Sequence, residues 1–406
     1  MNVLFLTLVE CNSIEESNIY TDLLREFIKD KHHVYIISPV EKKNHIRTHI
    51  IQENNSTILR LKTGNLFKTN IIEKGISTLT IEKIYKRGIK KYFKGIKFDL
   101  ILYSTPPITL QKAINYVKKR DSSITYLLLK DIFPQNAVDI GILQKKGAKG
   151  IIYHFFRKKE KRLYRDSDFI GCMSQANVKY LLEHNRNIDV NKVNIVPNCV
   201  EVKESDYLSE SDKKELLCKY NIPKDKFICL YGGNLGKPQG IDFMIECFKK
   251  SKCIESAYFL IVGDGTEYEK INCAISDHKL NNVGLHKWIP KNEYKKLVQC
   301  CDAGLIFLDY RFTIPNFPSR LLTYLEAGLP VIAATDKNTD VGEIIEKNGF
   351  GYKCYSNEAD SFVEKVKKII ATDSKLIGKK GRDFLEDNYS SKVVYKFLCD
   401  KLKKEG

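Results

Sequence analysis

Apolar residues along this chain fall into short unbroken runs, separated by stretches with helical spacing. NVLFLTL opens as a buried strand, and residues 18–31 follow with apolar positions at Ile19, Leu23, Leu24, Phe27 and Ile28, the three- and four-residue spacing of an amphipathic helix. HHVYIIS is a second strand. FDLILYS, ITYLLLKD, DFIGCMS and VNIVPN continue the series, with helical stretches between them. Strands that are apolar throughout, alternating with amphipathic helices, predict a parallel sheet covered on both faces. The pattern then repeats, with strands at FICLYGG, AYFLIVGDG, VGLHKWI, AGLIFLD and LPVIAA. Between the two series, residues 200–226 hold no clear strand and one short helical candidate, 211–220, and read as a linker. At 406 residues the chain exceeds the ~250–300 residues at which a single core stops growing. The expectation is an α/β protein of two doubly wound domains, 1–200 and 201–385, with a C-terminal helix at 386–406 crossing back to the first. Ligand is expected between the domains, beyond the carboxyl ends of the strands.

Charge changes this picture. Lys and Arg number 67 against 50 Asp and Glu, a net charge of +17. Two readings fit. One is an anionic partner such as nucleic acid, an acidic membrane face or a phosphorylated substrate. The other is a compositional bias toward Lys, Ile and Asn without functional meaning. The twelve cysteines are scattered, with no C-x-x-C and only one close pair, Cys300-Cys301. Cys229, Cys247 and Cys399 sit in apolar segments, as small buried hydrophobes do, and reduced thiols are expected. No metal-ligand cluster stands out, so neither a metal nor a cofactor is expected. The opening MNVLFLTLVECN lacks a basic region and is apolar for only about eight residues, unlike a signal peptide. No run reaches the ~18–20 apolar residues of a membrane span. A cytoplasmic protein is the expectation.

Three turns in the second half could meet a ligand. In LYGGNLGKPQGID, Gly232, Gly233 and Gly236 bare the backbone where a strand turns into a helix, and bare N–H groups with Lys237 suit a phosphate. This is not a Walker A loop, because Tyr231 stands where its first glycine belongs and Pro238 follows the lysine. VGDG at 262–265 lacks the third glycine of a dinucleotide fingerprint, with Tyr268 in its place. The third turn is FPSRLLTYLEAGLPVIA at 317–333. Ser319 reads as an N-cap behind Pro318, and Arg320 lies beside the positive end of the helix dipole, an anion site. Thr323 and Glu326 follow on the face of Ser319 before Gly328 stops the helix. A carboxylate can accept two hydrogen bonds from a vicinal diol such as a ribose. Phosphate at the helix start and sugar hydroxyls at the carboxylate describe a nucleotide. Alternatively Glu326 is a helix-end carboxylate in water, or a satisfied buried one; the two preceding loops favour the nucleotide.

With these residues in view, the chain resembles the retaining GT-B glycosyltransferases usually called family 4. YGGNLGKPQGID, FLIVGDG, the WIP segment at 288–290 and PSRLLTYLEAGLPVIA carry the likeness in the second half. In the first half, KDIFPQNAVDIGIL is similar to the DxxP segment of the surface-polysaccharide subgroup typified by N-acetyl-L-fucosaminyltransferases, and SDFIGCMSQANVKYL and IVPNCV have counterparts. The resemblance covers nearly the whole chain in order. It implies two Rossmann-like domains facing each other across a cleft, the first taking the acceptor and the second the nucleotide-sugar donor. The family's Glu-x7-Glu pair falls on Pro315 and Thr323, leaving Glu326, one turn later, as the carboxylate available to the ribose. Its diphosphate-binding Arg and Lys fall on Asn234 and Gln239, leaving Lys237 and Arg320 as the available cations. The implied donor contacts are Gly233, Asn234, Gly236 and Lys237; Gly263; Trp288 and Ile289, presenting backbone to the base; and Ser319, Arg320, Leu321, Thr323 and Glu326.

The implied chemistry is glycosyl transfer in which negative charge grows on a leaving nucleoside diphosphate, stabilised by Lys237, Arg320 and helix-terminal N–H groups rather than a metal. Asp131 is by analogy the first-domain residue nearest the acceptor; alternatively it caps a turn at a strand end. His32 and His33 read as a solvated turn. Two basic segments interleaved with aromatics, KIYKRGIKKYFKGIK at 83–97 and GAKGIIYHFFRKKEKRLYR at 147–165, could lie on an anionic bilayer surface and serve a lipid-linked saccharide acceptor. Alternatively their apolar sides are core and their lysines solvated. Nucleic acid is not expected, because no recognition motif is present. The expected enzyme moves an N-acetylhexosamine or deoxy-amino sugar from a UDP donor in capsule or O-antigen assembly, at the inner face of the membrane. The rivals are a sugar-nucleotide epimerase on the same fold, distinguished by its product, and a silent nucleotide-binding subunit, excluded by any turnover.

Overall fold

In the computed structural model, which describes residues 1–66, 69, 71–204 and 208–403, one unit comprises Met1–Glu201 with Ser391–Gly406 and the other Val202–Ser390. The first unit runs β1 (Asn2–Leu6), α1 (Thr21–Lys29), β2 (His33–Glu41), β3 (His49–Glu53), β4 (Ser56–Thr63), α2 (Ile71–Tyr92), β5 (Leu100–Ser104), α3 (Gln111–Asp121), β6 (Ile124–Leu129), α4 (Gln135–Asp139), α5 (Gly147–Asp166), β7 (Phe169–Cys172), α6 (Gln175–His184) and β8 (Val193–Ile195). The sheet order is β3-β4-β2-β1-β5-β6-β7-β8. Central β1 shows why its strands read as unbroken apolar runs. Val3 and Phe5 pack on the α1 side with Leu23, Leu24 and Phe27, while Leu4 and Leu6 pack on the other side with α2, α3 and α5. A strand buried on both faces has no polar position to offer.

Two strands of this sheet were not foreseen. β4 pairs in parallel with β2, but its buried residues include Thr57, Arg60 and Thr63, which break the apolar run. β3 is an edge strand, largely exposed and antiparallel to β4, so the first sheet is mixed rather than wholly parallel. The segment 83–97 resolves toward its plainer alternative: Tyr85, Ile89 and Phe93 are fully buried in the core under α2, and Lys86 and Lys90 lie over the Tyr116 ring.

The second unit begins with α7 (Glu210–Lys219), started by a capping box between Ser209 and Asp212. It continues through β9 (Phe227–Gly232), α8 (Ile241–Lys250), β10 (Ala257–Val262), α9 (Tyr268–Asp277), β11 (Val283–His286), α10 (Lys291–Val298), β12 (Ala303–Phe307), α11 (Arg320–Glu326), β13 (Val331–Thr335), α12 (Val341–Lys347), β14 (Gly351–Tyr355), α13 (Ala359–Ile370) and α14 (Ser374–Tyr389). The order is β11-β10-β9-β12-β13-β14, every pair parallel. β14 escaped the sequence reading because Gly351 and Lys353 interrupt a five-residue strand.

α14 ends at Ser390, whose backbone is extended, and α15 (Ser391–Lys403) belongs to the first unit. The return therefore begins at 391, not at 386. The Ser391 N–H donates to the Val200 carbonyl at 2.8 Å, and α15 buries Val394, Leu398 and Leu402 beside α1, with the Tyr395 ring edge-on to Phe27. Among the described residues, no helix is long and apolar enough to cross a membrane.

Each sheet has one point where the strand order reverses: between β1 and β5 in the first, and between β9 and β12 in the second. The loops leaving such a pair diverge and open a crevice at the carboxyl ends of the strands, where ligands of doubly wound sheets bind.

Candidate functional site

The crevice of the second unit is built on the glycine loop that leaves β9. Gly233 has φ +131, a conformation that L side chains rarely adopt. A Cβ at Gly263 would lie 2.0 Å from the Gly233 carbonyl oxygen, and one at Gly265 would lie 2.2 Å from that of Leu235. The two glycines of VGDG thus let one loop seat directly on the other. Gly263 supports the glycine loop from behind. Across the crevice, the Asp309 N–H after β12 donates to the Pro238 carbonyl at 3.0 Å.

The loop's backbone is less available than its glycines suggested. The N–H groups of Gly233 and Leu235 donate to the carbonyls of Val262 and Asp264, that of Gly232 to the Tyr324 hydroxyl, and that of Gly236 to Gln239 Oε1. Asn234 Nδ2 also donates to Gln239 Oε1, at 3.1 Å. Asn234 and Gln239 therefore hold the loop's shape. Charge must come from side chains outside them.

Arg320 is one such side chain. Its guanidinium lies 4.2 Å over the Tyr231 ring, with Nη2 3.4 Å from where a Cβ of Gly233 would be. Nη1 is buried and, among the described residues, makes no hydrogen bond. The surroundings are aromatic. The Tyr231 hydroxyl donates to the Asn234 carbonyl at 2.7 Å, the Tyr324 hydroxyl donates to the Leu305 carbonyl at 3.1 Å, and the Tyr294 hydroxyl abuts Gly232. Burial, first of all, holds the Tyr294 phenol well above its ordinary pKa, so the hydroxyl stays protonated. Sequence reasoning missed these three tyrosines, and only Tyr231, within the glycine motif, gave any signal. Lys237 is exposed on a 3₁₀ turn, Lys237–Gln239, at the loop's outer edge.

The other expected residues divide. Ser319 is not a working cap: its backbone is helical, at φ −63 and ψ −19, and its side chain makes no capping hydrogen bond. α11 has only seven residues, too short to rely on its dipole. Leu321 is fully buried, so its side chain belongs to the core, and Ile289 is 5% exposed while Trp288 beside it is 76% exposed. Because β12 and β13 are parallel, α11 runs back from the carboxyl edge of the sheet to its amino edge. Glu326 ends that run, about 9 Å along the axis from Arg320. There its carboxylate pairs with Lys295 at 3.3 Å, and Arg382 bridges the carbonyls of Glu326 and Lys203. The sequence placed Glu326 at the ribose, two turns along from the phosphate end of the helix; in the structure it ends that helix with its carboxylate on Lys295. Thr323 lies on the same flank, lining a small depression with Glu326 and Lys295.

In the first unit, Asp131 follows β6 beside the β1–β5 crevice. Its carboxylate accepts from Asn136 Nδ2 at 2.8 Å, and its main chain is tied to the Thr105 hydroxyl. Burial raises its pKa above the ordinary value, against the hydrogen bonds from Asn136 and the Ile132 N–H. Neighbouring Lys130 is pushed down to about 8 by burial; its Nζ donates to the Val196 carbonyl at 3.1 Å. Among the described residues, no group of three or more His, Cys, Asp or Glu is placed to hold a metal ion.

Comparisons with known proteins agree with this geometry. The family model described as glycosyl transferases group 1 matches residues 212–384. The chain is similar to the glycosyltransferase WbjE of Pseudomonas aeruginosa, at 23% identity over 324 residues, 77% of this chain and 78% of the relative. It is also similar to WcaI of Escherichia coli (strain K12), named a colanic acid biosynthesis glycosyl transferase, at 22% identity over 250 residues, 62% of this chain and 60% of the relative. Among solved structures, sucrose-phosphate synthase from Thermosynechococcus elongatus superposes with a TM-score of 0.76 at 14% identity, covering 100% of this chain and 99% of that one. Anabaena HepE in complex with UDP-glucose superposes with a TM-score of 0.65 at 14% identity, covering 100% of both. The fold is that of GT-B glycosyltransferases, two Rossmann-like α/β domains, and the match to group 1 glycosyl transferases lies within the second of them.

Proposed function

We propose that the chain is a retaining glycosyltransferase of family 4 type. It transfers an N-acetylhexosamine or deoxy-amino sugar from a UDP donor to a lipid-linked saccharide during surface polysaccharide assembly. The observation that carries this reading is Arg320, enclosed over Tyr231 beside Gly233 with an unpaired Nη1, at the one point of the second sheet where the strand order reverses. A delocalised, permanently charged, half-buried fork beside the glycine loop suits a diphosphate, whose charge grows as the glycosidic bond breaks. Lys237 adds a second, mobile cation at the rim. Together they supply the neutralisation that a metal would otherwise give, so transfer is proposed to be metal-independent. The backbone at Trp288 and Ile289 meets the base. Asp131, half-buried with its pKa raised by desolvation beside the crevice of the first unit, faces the acceptor.

Support for the donor comes from HepE, solved with UDP-glucose on the same fold, and support for the pathway class from WcaI. The Asn234–Gln239 hydrogen bond favours a second reading, a subunit that binds nucleotide without turnover. A thermal-shift panel of sugar nucleotides, followed by product analysis with the stabilising donor, tests both. UDP-sugars should raise the melting temperature, because a ligand bound only by the folded state stabilises it. No shift with any of them would end the transferase reading, and any transfer product would end the silent one.

A further inference from the structure

The first unit carries a feature that the donor and acceptor sites leave unused. Glu82 of α2 accepts from the Lys112 N–H at the start of α3 and pairs with Lys159 of α5 at 3.7 Å. These bonds set residues 82 and 159 level with the first turn of α3. The eleven residues of α2 and twelve of α5 that precede them reach past it by about 16 and 18 Å at the α-helical rise. Both extensions carry large apolar side chains in the open. On α5, Ile151 is 74%, Ile152 48% and Phe155 44% exposed; on α2, Ile76 is 59% and Leu79 51% exposed.

Charge accompanies them. Lys145, Lys146 and Lys149, all exposed, cluster at the start of α5, with no acidic residue in its first turn. Cations at a helix N-terminus oppose the helix dipole, so fold stability does not account for this placement. Apolar side chains rimmed by lysines match an anionic lipid surface, where rings and branched chains enter the acyl boundary and ammonium groups meet lipid phosphates. A second copy of the chain fits less well, because packing this face on itself would bring the two lysine clusters together.

We propose that the N-terminal turns of α5, with those of α2 beside them, dock the first unit onto an anionic bilayer surface through Ile151, Ile152 and Phe155. The proposal deepens the reading of a lipid-linked acceptor and rests on it. It also assigns docking to one of the two basic segments and removes it from the other. In 147–165 Ile151, Ile152 and Phe155 are exposed, whereas in 83–97 Tyr85, Ile89 and Phe93 are core.

The test is flotation of the full chain with phosphatidylcholine vesicles, with and without phosphatidylglycerol, at low and high salt. Wild type should float with the anionic vesicles and be partly released by salt. The variant Ile151→Gln, Ile152→Gln, Phe155→Gln should lose more than about tenfold in partitioning even at low salt. Lys145→Gln, Lys146→Gln, Lys149→Gln should lose the preference for phosphatidylglycerol. A control with Lys83, Arg87, Lys90 and Lys91 changed to Gln should float as wild type does. Absence of wild-type flotation would overturn the proposal, as would an apolar variant that floats normally. So would a wild-type dimer in light scattering that the apolar variant dissolves. Calorimetry with UDP on the same proteins separates the two readings. All variants should bind UDP equally, and failure of wild type to bind UDP would strike the donor site while leaving the flotation result intact.

Discussion

A guanidinium enclosed over an aromatic ring with one N–H unpaired is an unfavourable arrangement until an anion arrives, since a buried unsatisfied donor costs about 1–3 kcal/mol. Arg320→Met should therefore leave the unliganded protein as stable or more so, while weakening UDP binding by about 1.5–3 kcal/mol, roughly ten- to hundredfold. Arg320→Lys should not restore it, because an ammonium neither stacks on Tyr231 nor spans two phosphate oxygens. Calorimetry with UDP decides, and unchanged affinity in a folded Arg320→Met protein would remove Arg320 from the donor site. Glu326→Gln gives the converse test. Its half-exposed pairing with Lys295 contributes at most about 1 kcal/mol, so UDP affinity should hold and stability should move little. A loss confined to Thr323→Val would assign the ribose to Thr323. Asp131 is read through pH. Its folded pKa is raised, so its contribution to stability is present at low pH and is lost as pH rises from the ordinary carboxylate value through the raised one. Asp131→Asn should lack that slope, be at least as stable as wild type at neutral pH, and turn over more slowly. Denaturation from acid to neutral pH, beside an activity assay, checks both halves.

Elements were legible where burial is two-sided. β1, β5, β6, β9, β10, β12 and β13 read as apolar runs because both faces of each are core. β4 did not, because a fully buried Arg60 sits at its centre, where Nη1 donates to the Cys11 carbonyl at 3.1 Å and organises the loop after β1. The crevice was legible as a set of loops and not as a set of contacts. Glycine spacing marks where the backbone must come close, and nothing in it says whether the visitor is a ligand or another loop. At Gly263 the visitor is Gly233. Gly263→Ala should accordingly destabilise the second unit by about 1–3 kcal/mol, an overpacking cost, and weaken UDP binding by displacing the loop beneath Arg320. Equal melting temperatures for variant and wild type would show that the two loops can part without cost.

At the scale of the whole molecule, the chain order and the spatial order differ. The first unit is closed by α15, which brings Val394, Leu398 and Leu402 into its core. Each buried aliphatic side chain is worth about 1.5–3 kcal/mol, so ending the chain at Ser390 should cost the first unit on the order of 5 kcal/mol. The second unit should keep its own melting transition. Calorimetry of the shortened chain should show the two transitions moving apart. Turnover by the intact protein should survive EDTA if Arg320 and Lys237 neutralise the leaving diphosphate. Strict dependence on a divalent ion would transfer that role to a metal.

The closing helix also sets a timetable. Synthesis proceeds from the first residue, yet the apolar groove beside α1 lacks its last occupant until residues 391–403 emerge, after roughly 190 residues of the second unit. At about 5–20 residues per second, that leaves the first-made half incomplete for roughly 10–40 seconds, long enough for the later-made half to form first. A nascent chain arrested near residue 300 should remain open to protease at α1, and protection should appear only once residues 391–403 have emerged. The half of the protein that is made first is completed last.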